Sequence, residues 1–276
     1  MLTQKRIGLA RALSKQGYCS RSQAASLISA GRVALNGRIS KDPECPVRIL
    51  RDRIEIDGAS LDKAPAIYLM MNKPRGVVTT ASDEKCRKTV YDLLEPGLPW
   101  VGPVGRLDKA SEGLLLLTKD SEWAAKITDP VSHLDKKYHV QVNCIADVAL
   151  LASISRAGDI VWKGMSDAQS LGQLRESLHA KAASILRHGE KNSWLEITLD
   201  EGKNRHIRRM LETLNVEVLR LIRVSMGPLE LGELKKGAAR HLTSWEKKAL
   251  DQTLLTVSSR AKRGTDPYSQ HTFSRE

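Results

Sequence analysis

The residues best suited to chemistry lie in one short segment near the middle of the chain. Arg106 and Asp108 follow Gly105, and a polar loop then leads into the apolar run 113–118. A carboxylate in such a place can act as a nucleophile or as a general base. The four consecutive leucines in the run predict a strand that is buried on both faces and holds the loop rigidly. Alternatively, Asp108 is a structural residue, satisfied by a neighbouring turn or by the arginine two positions before it.

A cluster of arginines could accompany this carboxylate. On a helix, Arg208 and Arg209 would lie on the same side as Arg205, because they follow it by three and four positions. The opposite face is apolar and contains Ile207. Guanidinium groups this close repel one another unless an anion neutralises them. That anion is either a carboxylate or a phosphate. A buried arginine beside Asp108 would keep its carboxylate ionised at neutral pH.

Two further segments carry side chains that suit nucleic-acid binding. Residues 67–71 predict a short apolar strand, and Lys73 begins the turn that follows it. This lysine would touch phosphate in a nucleic-acid enzyme, or form an ordinary basic turn in another protein. Tyr138 lies on one face of a strand predicted over residues 136–142. Its ring could stack on a base, or it could pack in the core with the hydroxyl at the edge.

The composition favours a polyanionic partner. The 276 residues include 44 Lys and Arg against 32 Asp and Glu, for a net charge of +12. A protein that is merely soluble and cationic would have the same balance. No apolar run approaches the roughly 20 residues that span a membrane, and the N-terminus lacks a signal-peptide core. The four cysteines form no close pairs and the seven histidines form no zinc-binding pattern, so we expect reduced thiols, a cytoplasmic protein and no metal.

Positive charge is concentrated at the N-terminal end. Residues 1–41 contain no acidic residue, which indicates a phosphate-contacting surface. The candidate RNA contacts there include Arg6, Arg21 and Arg32. The alternative is a small basic domain with a solvated face, but such faces normally mix both signs of charge.

The same region predicts two short helices followed by a hairpin. The first helix ends at Gly17, a natural left-handed position. Ser20 begins the second helix, and Gln23 completes a capping box with it. Asn36 and Gly37 form the strongest two-residue hairpin signal.

These motifs occur in the order and spacing of one protein family. The segments are 19–24, 31–37, Lys73-Pro74-x-Gly76, Gly105-Arg106-Leu107-Asp108, 113–120, Lys136-x-Tyr138 and 201–210. Over residues 5–245 the chain resembles the RsuA/RluB/RluE/RluF family of bacterial ribosomal-RNA pseudouridine synthases. That family places an S-four-like RNA-binding module ahead of its catalytic domain.

The resemblance implies roles for individual residues. Asp108 matches the catalytic aspartate, and Arg208 matches the basic residue paired with it. Tyr138 matches the tyrosine that packs on the target uracil and takes part in proton transfer, and Ile207 matches an apolar residue of the pocket. The substrate contacts expected in this domain are Arg106, Lys73, Ile207 and Arg205. Arg106 is then an RNA contact rather than the partner of the aspartate.

The implied reaction breaks the carbon–nitrogen glycosidic bond of a uridine, turns the base and rejoins it through carbon 5. Nothing is oxidised and no group is transferred, so we expect no cofactor. The carboxylate either attacks covalently or stabilises a sugar intermediate. The uridine must also leave its stack.

The chain departs from the family at three places. His206 stands where the family usually has glutamine, and Ser121 replaces a glycine. Neither is a catalytic position. Residues 152–193 fit the family poorly, and a polar stretch over 166–187 looks helical.

We therefore expect an α+β protein in which a small basic helix–hairpin module precedes a catalytic domain with a mixed, mainly antiparallel sheet. The predicted boundaries are 1–62 for the S-four-like module, 63–66 for a linker, 67–250 for the catalytic domain and 251–276 for a basic, disordered tail. The expected enzyme is a monomer that modifies ribosomal RNA, free or in an assembly intermediate of a ribosomal subunit, away from membranes. The alternatives are a catalytically silent assembly factor on the same scaffold and a tRNA-directed synthase.

Overall fold

The structure is a computed structural model that describes residues 6–49, 51–60, 66–81, 83–156, 158–161 and 175–263. The elements before residue 61 are β1 (Ile7–Gly8), α1 (Leu9–Lys15), α2 (Arg21–Ser29), β2 (Val33–Leu35), β3 (Arg38–Ile39), β4 (Pro46–Val47), β5 (Ile54–Ile56) and β6 (Ala59–Ser60). Strands β3, β2, β5 and β6 pair in that order, and β1 pairs with β4. Buried apolar side chains of both helices pack with those of β2, β4 and β5 in one core.

The local signals in this N-terminal part are confirmed. Gly17 follows α1 with a φ of +71°. The Ser20 Oγ accepts from the Gln23 backbone N–H at 3.2 Å, and the Gln23 side chain accepts from the Ser20 N–H at 3.0 Å. Asn36 and Gly37 both have positive φ between β2 and β3, the geometry of a tight hairpin turn. Each of these features is set by residues within a few positions of one another.

The second part of the chain contains a large sheet with helices on its faces. Its elements are β7 (Tyr68–Lys73), β8 (Gly102–Val104), β9 (Glu112–Thr118), α3 (Ser121–Thr128), β10 (Lys136–Val142), α4 (Val148–Ser155), β11 (Gly158–Val161), β12 (Arg175–Leu178), β13 (Ala182–His188), β14 (Ser193–Leu199), α5 (His206–Thr213), β15 (Val218–Met226), β16 (Leu229–Glu230), β17 (Ala239–His241) and α6 (Ser244–Arg263). Short 3₁₀ helices occupy Val90–Leu93 and Pro130–Ser132.

Within the described residues, nine of these strands form a single sheet. Its order is β13-β14-β10-β15-β9-β7-β17, with β16 beside β15 and β8 beside β9. The pairing of β9 with β15 is parallel, and the other pairings are antiparallel. The predicted α+β class with a mixed, mainly antiparallel sheet is therefore confirmed.

Strand β9 lies at the centre of this architecture. Leu114 and Leu116 pack with α3 and α6 on one face, whereas Leu115 and Leu117 pack in a second cluster on the other. All seven residues of β9 are buried, as its leucine run predicts. Gly113 permits close contact with β15, because a Cβ on it would lie 2.2 Å from the Arg223 carbonyl oxygen.

The structure corrects two expectations. A disordered tail from residue 251 is wrong as far as Arg263, where α6 ends. Leu250 and Leu254 lie one turn apart on that helix and are buried against the sheet, which stabilises a segment of otherwise polar composition. The helical expectation for 166–187 is wrong where the structure describes it, because β12 and most of β13 occupy that part. Residues 63–65 of the predicted linker, 162–174 and 264–276 lie outside the described residues.

Candidate active site

Asp108 lies in the loop that joins β8 to β9. Gly105 has a φ of +73° at the start of the loop. The Ser111 backbone N–H donates to the Asp108 carbonyl at 3.0 Å, and the Thr79 hydroxyl donates to the Leu107 carbonyl at 2.8 Å. A carboxylate on a loop that is fixed between two paired strands is held in a defined position.

Lys73 holds this loop through hydrogen bonds to its backbone. Its side chain is 0% exposed at the end of β7. The ammonium donates to the carbonyl oxygens of Pro74, Asp108 and Ser111 at 3.1, 3.0 and 2.8 Å. Burial lowers the pKa of Lys73 to about 8, although the charges of Asp108 and Glu112 act in the opposite direction. The prediction that Lys73 contacts RNA is therefore wrong, because its donors are used inside the protein.

Glu112 fixes the other end of the loop. Its carboxylate is buried at the first position of β9 and accepts from the Arg220 Nε at 3.1 Å. The Lys236 ammonium lies 2.6 Å from the same carboxylate. Burial alone would raise the pKa of Glu112, but these two cations hold it below its usual range. Both ends of the Asp108 loop are thus attached to the sheet by charged hydrogen bonds.

Arg208 approaches the loop from α5. Its Nη2 donates to the Ala110 carbonyl and its Nη1 to the Val218 carbonyl, both at 3.2 Å. Burial lowers the pKa of Arg208, while the charge of Asp108 acts to raise it. A guanidinium remains protonated in proteins even so. Arg208 therefore supplies a positive charge that interacts with Asp108 and also holds the loop that carries it.

A cavity of about 670 Å³ opens beside Asp108. Among the described residues that line it are five that the sequence singled out: Arg106, Asp108, Tyr138, Arg205 and Ile207. Tyr138 is half-buried and packs against the core around β10 and α5, so its ring forms part of the wall. A cavity of this volume falls within the range of small-ligand sites. Lys73 and Arg208 act behind the wall, at the base of the Asp108 loop.

The cavity wall includes charged residues that the sequence did not mark as candidate site residues. Arg223 is 4% exposed and faces the cavity from β15. Lys136 lines it from β10, together with Asp200 and Glu201 at the end of β14. Burial lowers the pKa of Lys136 to about 8, and repulsion from Arg223 acts in the same direction. The one signal for Arg223 in the sequence was that it interrupts the apolar pattern of residues 216–224.

The predicted RNA-contact arginines that are exposed and unpaired among the described residues fall into two groups by position. Arg106 and Arg205 are exposed where they line the cavity. Arg205 has a φ of +49° at the N-terminus of α5, an uncommon conformation for a residue with a side chain and one found often at functional sites. Arg6 and Arg21 are exposed on the N-terminal part, where they remain candidates for RNA contacts.

Arg32 is already engaged within the N-terminal part. Its Nε donates to the Asp57 Oδ1 at 3.0 Å, and a second hydrogen bond joins the same two side chains. Asp57 lies outside the acid-free segment 1–41, so this neutralisation could not be seen from local sequence. Both side chains are about half exposed, and a phosphate would have to compete with the carboxylate for Arg32.

Among the described residues, no group of three or more His, Cys, Asp or Glu residues is arranged to hold a metal ion. None of the helices found there combines the length and apolar character needed to cross a membrane.

Comparison with known proteins identifies the two parts of the chain. Residues 7–54 match the S4 domain, and residues 67–213 match the family described as RNA pseudouridylate synthase. The chain belongs to the RNA pseudouridylate synthase family. It is 35% identical over 244 residues to the "Ribosomal large subunit pseudouridine synthase B" of Bacillus subtilis, covering 88% of this chain and 94% of the relative.

Other relatives agree with this assignment. An "Uncharacterized RNA pseudouridine synthase" of Rickettsia felis is 34% identical and covers 86% of this chain and 96% of its own. A crystal structure of a pseudouridylate synthase superposes with a TM-score of 0.59 at 27% identity, covering 88% of this chain and 99% of the other. The family resemblance inferred from the motifs is confirmed, and the chain is an RNA pseudouridine synthase.

Proposed function

We propose that this synthase converts a uridine of ribosomal RNA to pseudouridine in the cavity beside Asp108. The observation that carries the proposal is the convergence of Asp108, Tyr138 and Ile207 on one cavity, with Arg208 behind the loop. The S4 domain and the similarity to the ribosomal large subunit pseudouridine synthase B of Bacillus subtilis support ribosomal RNA as the substrate.

Asp108 is the catalytic carboxylate in this proposal. In the overall reaction the bond from C1′ to N1 breaks and a bond from C1′ to C5 forms, while C5 loses a proton and N1 gains one. A carboxylate beside C1′ can form a covalent sugar intermediate or stabilise a positively charged one. Either role requires the ionised form. The Lys73 ammonium and the Arg208 guanidinium both donate to backbone carbonyls of the loop that carries Asp108.

Tyr138 and Ile207 shape the space for the base. A uridine must leave its stack before its glycosidic bond can be reached. The aromatic ring of Tyr138 offers a surface for the extruded uracil, and Ile207 provides an apolar contact. Arg106 and Arg205, exposed at the cavity, are suited to neighbouring phosphates. We propose that Tyr138 also takes part in proton transfer.

The N-terminal module brings RNA to this cavity. Arg6 and Arg21 are its proposed phosphate contacts, with Arg32 available where a phosphate displaces Asp57. We propose a monomer with the RNA-binding module in residues 1–62, a linker over 63–66 and the catalytic domain from residue 67 to the end of α6. The proposed location is the cytoplasm, where ribosomal RNA or a subunit assembly intermediate is available.

Mapping of modified uridines in total RNA, from cells with and without the protein, tests the substrate. We expect one pseudouridine of ribosomal RNA to disappear with the gene. Disappearance from tRNA instead would make the enzyme a tRNA synthase. Unchanged RNA would favour a catalytically silent assembly factor.

Complementation with two variants tests the role of Asp108. We expect Asp108→Ala and Asp108→Asn to leave the uridine unmodified while both proteins still bind the RNA. Asn keeps the shape of the side chain and removes its charge, so a loss in both variants assigns the effect to the carboxylate. Turnover by either variant near the wild-type rate would contradict the mechanism.

A further inference from the structure

Arg223, which lines the cavity, carries a charged donor that the protein leaves unused. Arg223 is 4% exposed, and its Nε donates to the Leu114 carbonyl at 2.7 Å. Its Nη2 is buried and has no hydrogen-bond partner among the described residues. A buried donor without an acceptor is unfavourable, more so when it is charged. A ligand that brings an acceptor into the cavity would satisfy this group.

The register of the sheet puts this donor beside the site of the base. Arg223 on β15 is the direct cross-strand partner of Tyr138 on β10. Side chains opposite each other in such a ladder lie on the same face, about 5 Å apart at Cβ. Both side chains line the cavity, as does Asp108. The parallel pairing of Arg223 with Gly113 also fixes the backbone of this arginine against β9.

The chemistry of a guanidinium restricts what it can recognise. It is a donor only, so its ligand atom must be an acceptor. Uracil offers carbonyl oxygens at C2 and C4 on either side of the N3–H. Cytosine has an amino group at C4, and a donor there would face another donor. Lys136, which lines the same cavity, is also a donor only.

The reaction itself gives such a donor a second use. When the base turns about the axis through N3 and C6, C5 replaces N1 and the carbonyl at C4 replaces the one at C2. The turned uracil therefore presents the same acceptor–donor–acceptor edge. A fixed donor can hold one carbonyl before the turn and the other after it. Cytosine lacks this symmetry.

We propose that Nη2 of Arg223 donates to the C4 carbonyl oxygen of the extruded uracil, which selects uracil against cytosine, and then to the C2 carbonyl oxygen once the detached base has turned. This role rests on the proposed function, since it requires uridine to react in the cavity beside Asp108. Arg223 is in this proposal a residue that binds the base, next to the carboxylate that acts on the sugar.

The test combines changes in the protein with changes in the substrate. The substrate is a synthetic RNA that spans the mapped uridine, made with uridine, 2-thiouridine or 4-thiouridine at that position. Sulfur is a poorer acceptor than oxygen. Single-turnover formation of the modified nucleotide is measured for the wild type, Arg223→Met and Arg223→Lys. Arg187→Met, on the edge strand β13 and away from the cavity lining, is the matched control.

We expect Arg223→Met to slow the reaction of uridine RNA by about 10- to 100-fold, the effect of losing a hydrogen bond from a charged donor. Arg223→Lys should restore part of the rate, and Arg187→Met should match the wild type. The wild type should react more slowly with at least one thio-RNA. In Arg223→Met the rates on uridine RNA and on that thio-RNA should differ by no more than about threefold, because the donor is already absent.

Three results would overturn the proposal. One is a rate for Arg223→Met within about threefold of wild type. Another is an equal loss on all three RNAs, which indicates a structural role alone. The third is a wild type that does not distinguish uridine from either thio-uridine, a measurement that remains available if Arg223→Met does not fold. Failure of the proposed function itself would appear separately, as activity in Asp108→Ala.

Discussion

Replacement of Lys73 by methionine tests whether the hydrogen bonds of its ammonium hold the catalytic loop in position. The change removes the hydrogen bonds from the ammonium to three carbonyl oxygens, including that of Asp108. Hydrogen bonds from a charged donor contribute about 1.5–3 kcal/mol each. Against this loss, the fall of the pKa of Lys73 from 10.5 to about 8 means that its surroundings disfavour the charge by about 3 kcal/mol. Three such bonds less this cost leave an expected net loss of about 1.5–6 kcal/mol in the free energy of unfolding.

The same replacement should also slow catalysis. A displacement of about 1 Å at a reacting group can reduce the rate about 100-fold. We expect Lys73→Met to lower kcat by about that factor with little change in KM, since Lys73 is buried and does not contact RNA. Kinetics on the mapped RNA, well below the unfolding temperature, measures this difference. Lys109→Met removes an exposed lysine from the same loop and should leave both constants close to wild type.

Two outcomes would refute this reasoning. If Lys73→Met lowered the free energy of unfolding but left kcat within about threefold of wild type, the lysine would stabilise the fold without positioning Asp108. If KM rose while kcat stayed constant, Lys73 would act on RNA binding, which its complete burial argues against.

Three further predictions concern stability and are checked by urea unfolding. Gly113→Ala should destabilise the protein by about 3 kcal/mol or more, because its φ is +102° and a Cβ would lie 2.2 Å from a backbone carbonyl of β15; an unchanged midpoint would argue against that close contact. Leu250→Ala should lower the free energy of unfolding by about 2–5 kcal/mol, whereas Leu255→Ala, on the exposed side of α6, should change it by less than about 0.5 kcal/mol; equal effects would mean that α6 does not pack as described. Burial gives Lys73 and Lys136 pKa values of about 8, against 10.5 for ordinary lysine. Between about pH 8 and 10.5 the unfolded chain binds more protons than the folded protein, so the free energy of unfolding should rise with pH over that range. Lys136→Met should reduce this rise. An identical pH dependence in the wild type and in Lys136→Met would contradict the lowered pKa of Lys136.

The features of the fold that the sequence predicted well are those set by residues close together in the chain. The capping box of Ser20 and Gln23, the hairpin at 36–37 and the buried strand β9 each depend on residues close together in the chain. Edge strand β13 was missed because most of its side chains are exposed, so polar residues concealed its period of two. The ordered part of α6 beyond residue 250 was missed for a related reason. Its buried leucines are few, and the sheet that covers them is made from distant segments.

The site was predictable only where a motif contained the chemistry. The position of Asp108 follows from a glycine, an arginine and an apolar strand that adjoin it in sequence. Its relation to Lys73, 35 positions away, depends on the antiparallel pairing of β7 with β9. The place of Arg223 depends on the pairing of β15 with both β9 and β10. Neither register can be read from residues that are neighbours in the chain.

The net charge of +12 combines cations that do different work. Exposed arginines such as Arg21 and Arg106, which are proposed RNA contacts, would act on RNA through a field that salt screens over about 10 Å. Lys73 and Arg223 are buried, so added salt hardly weakens their interactions, and their geometry is fixed by backbone carbonyls. Because burial lowers the pKa of Lys73, such a cation is stable only where neighbouring acceptors or a ligand offset the loss of water. Lys73 finds those acceptors in the Asp108 loop. Arg223 lacks one at Nη2, and this difference is why Lys73 is assigned to the loop and Arg223 to the substrate.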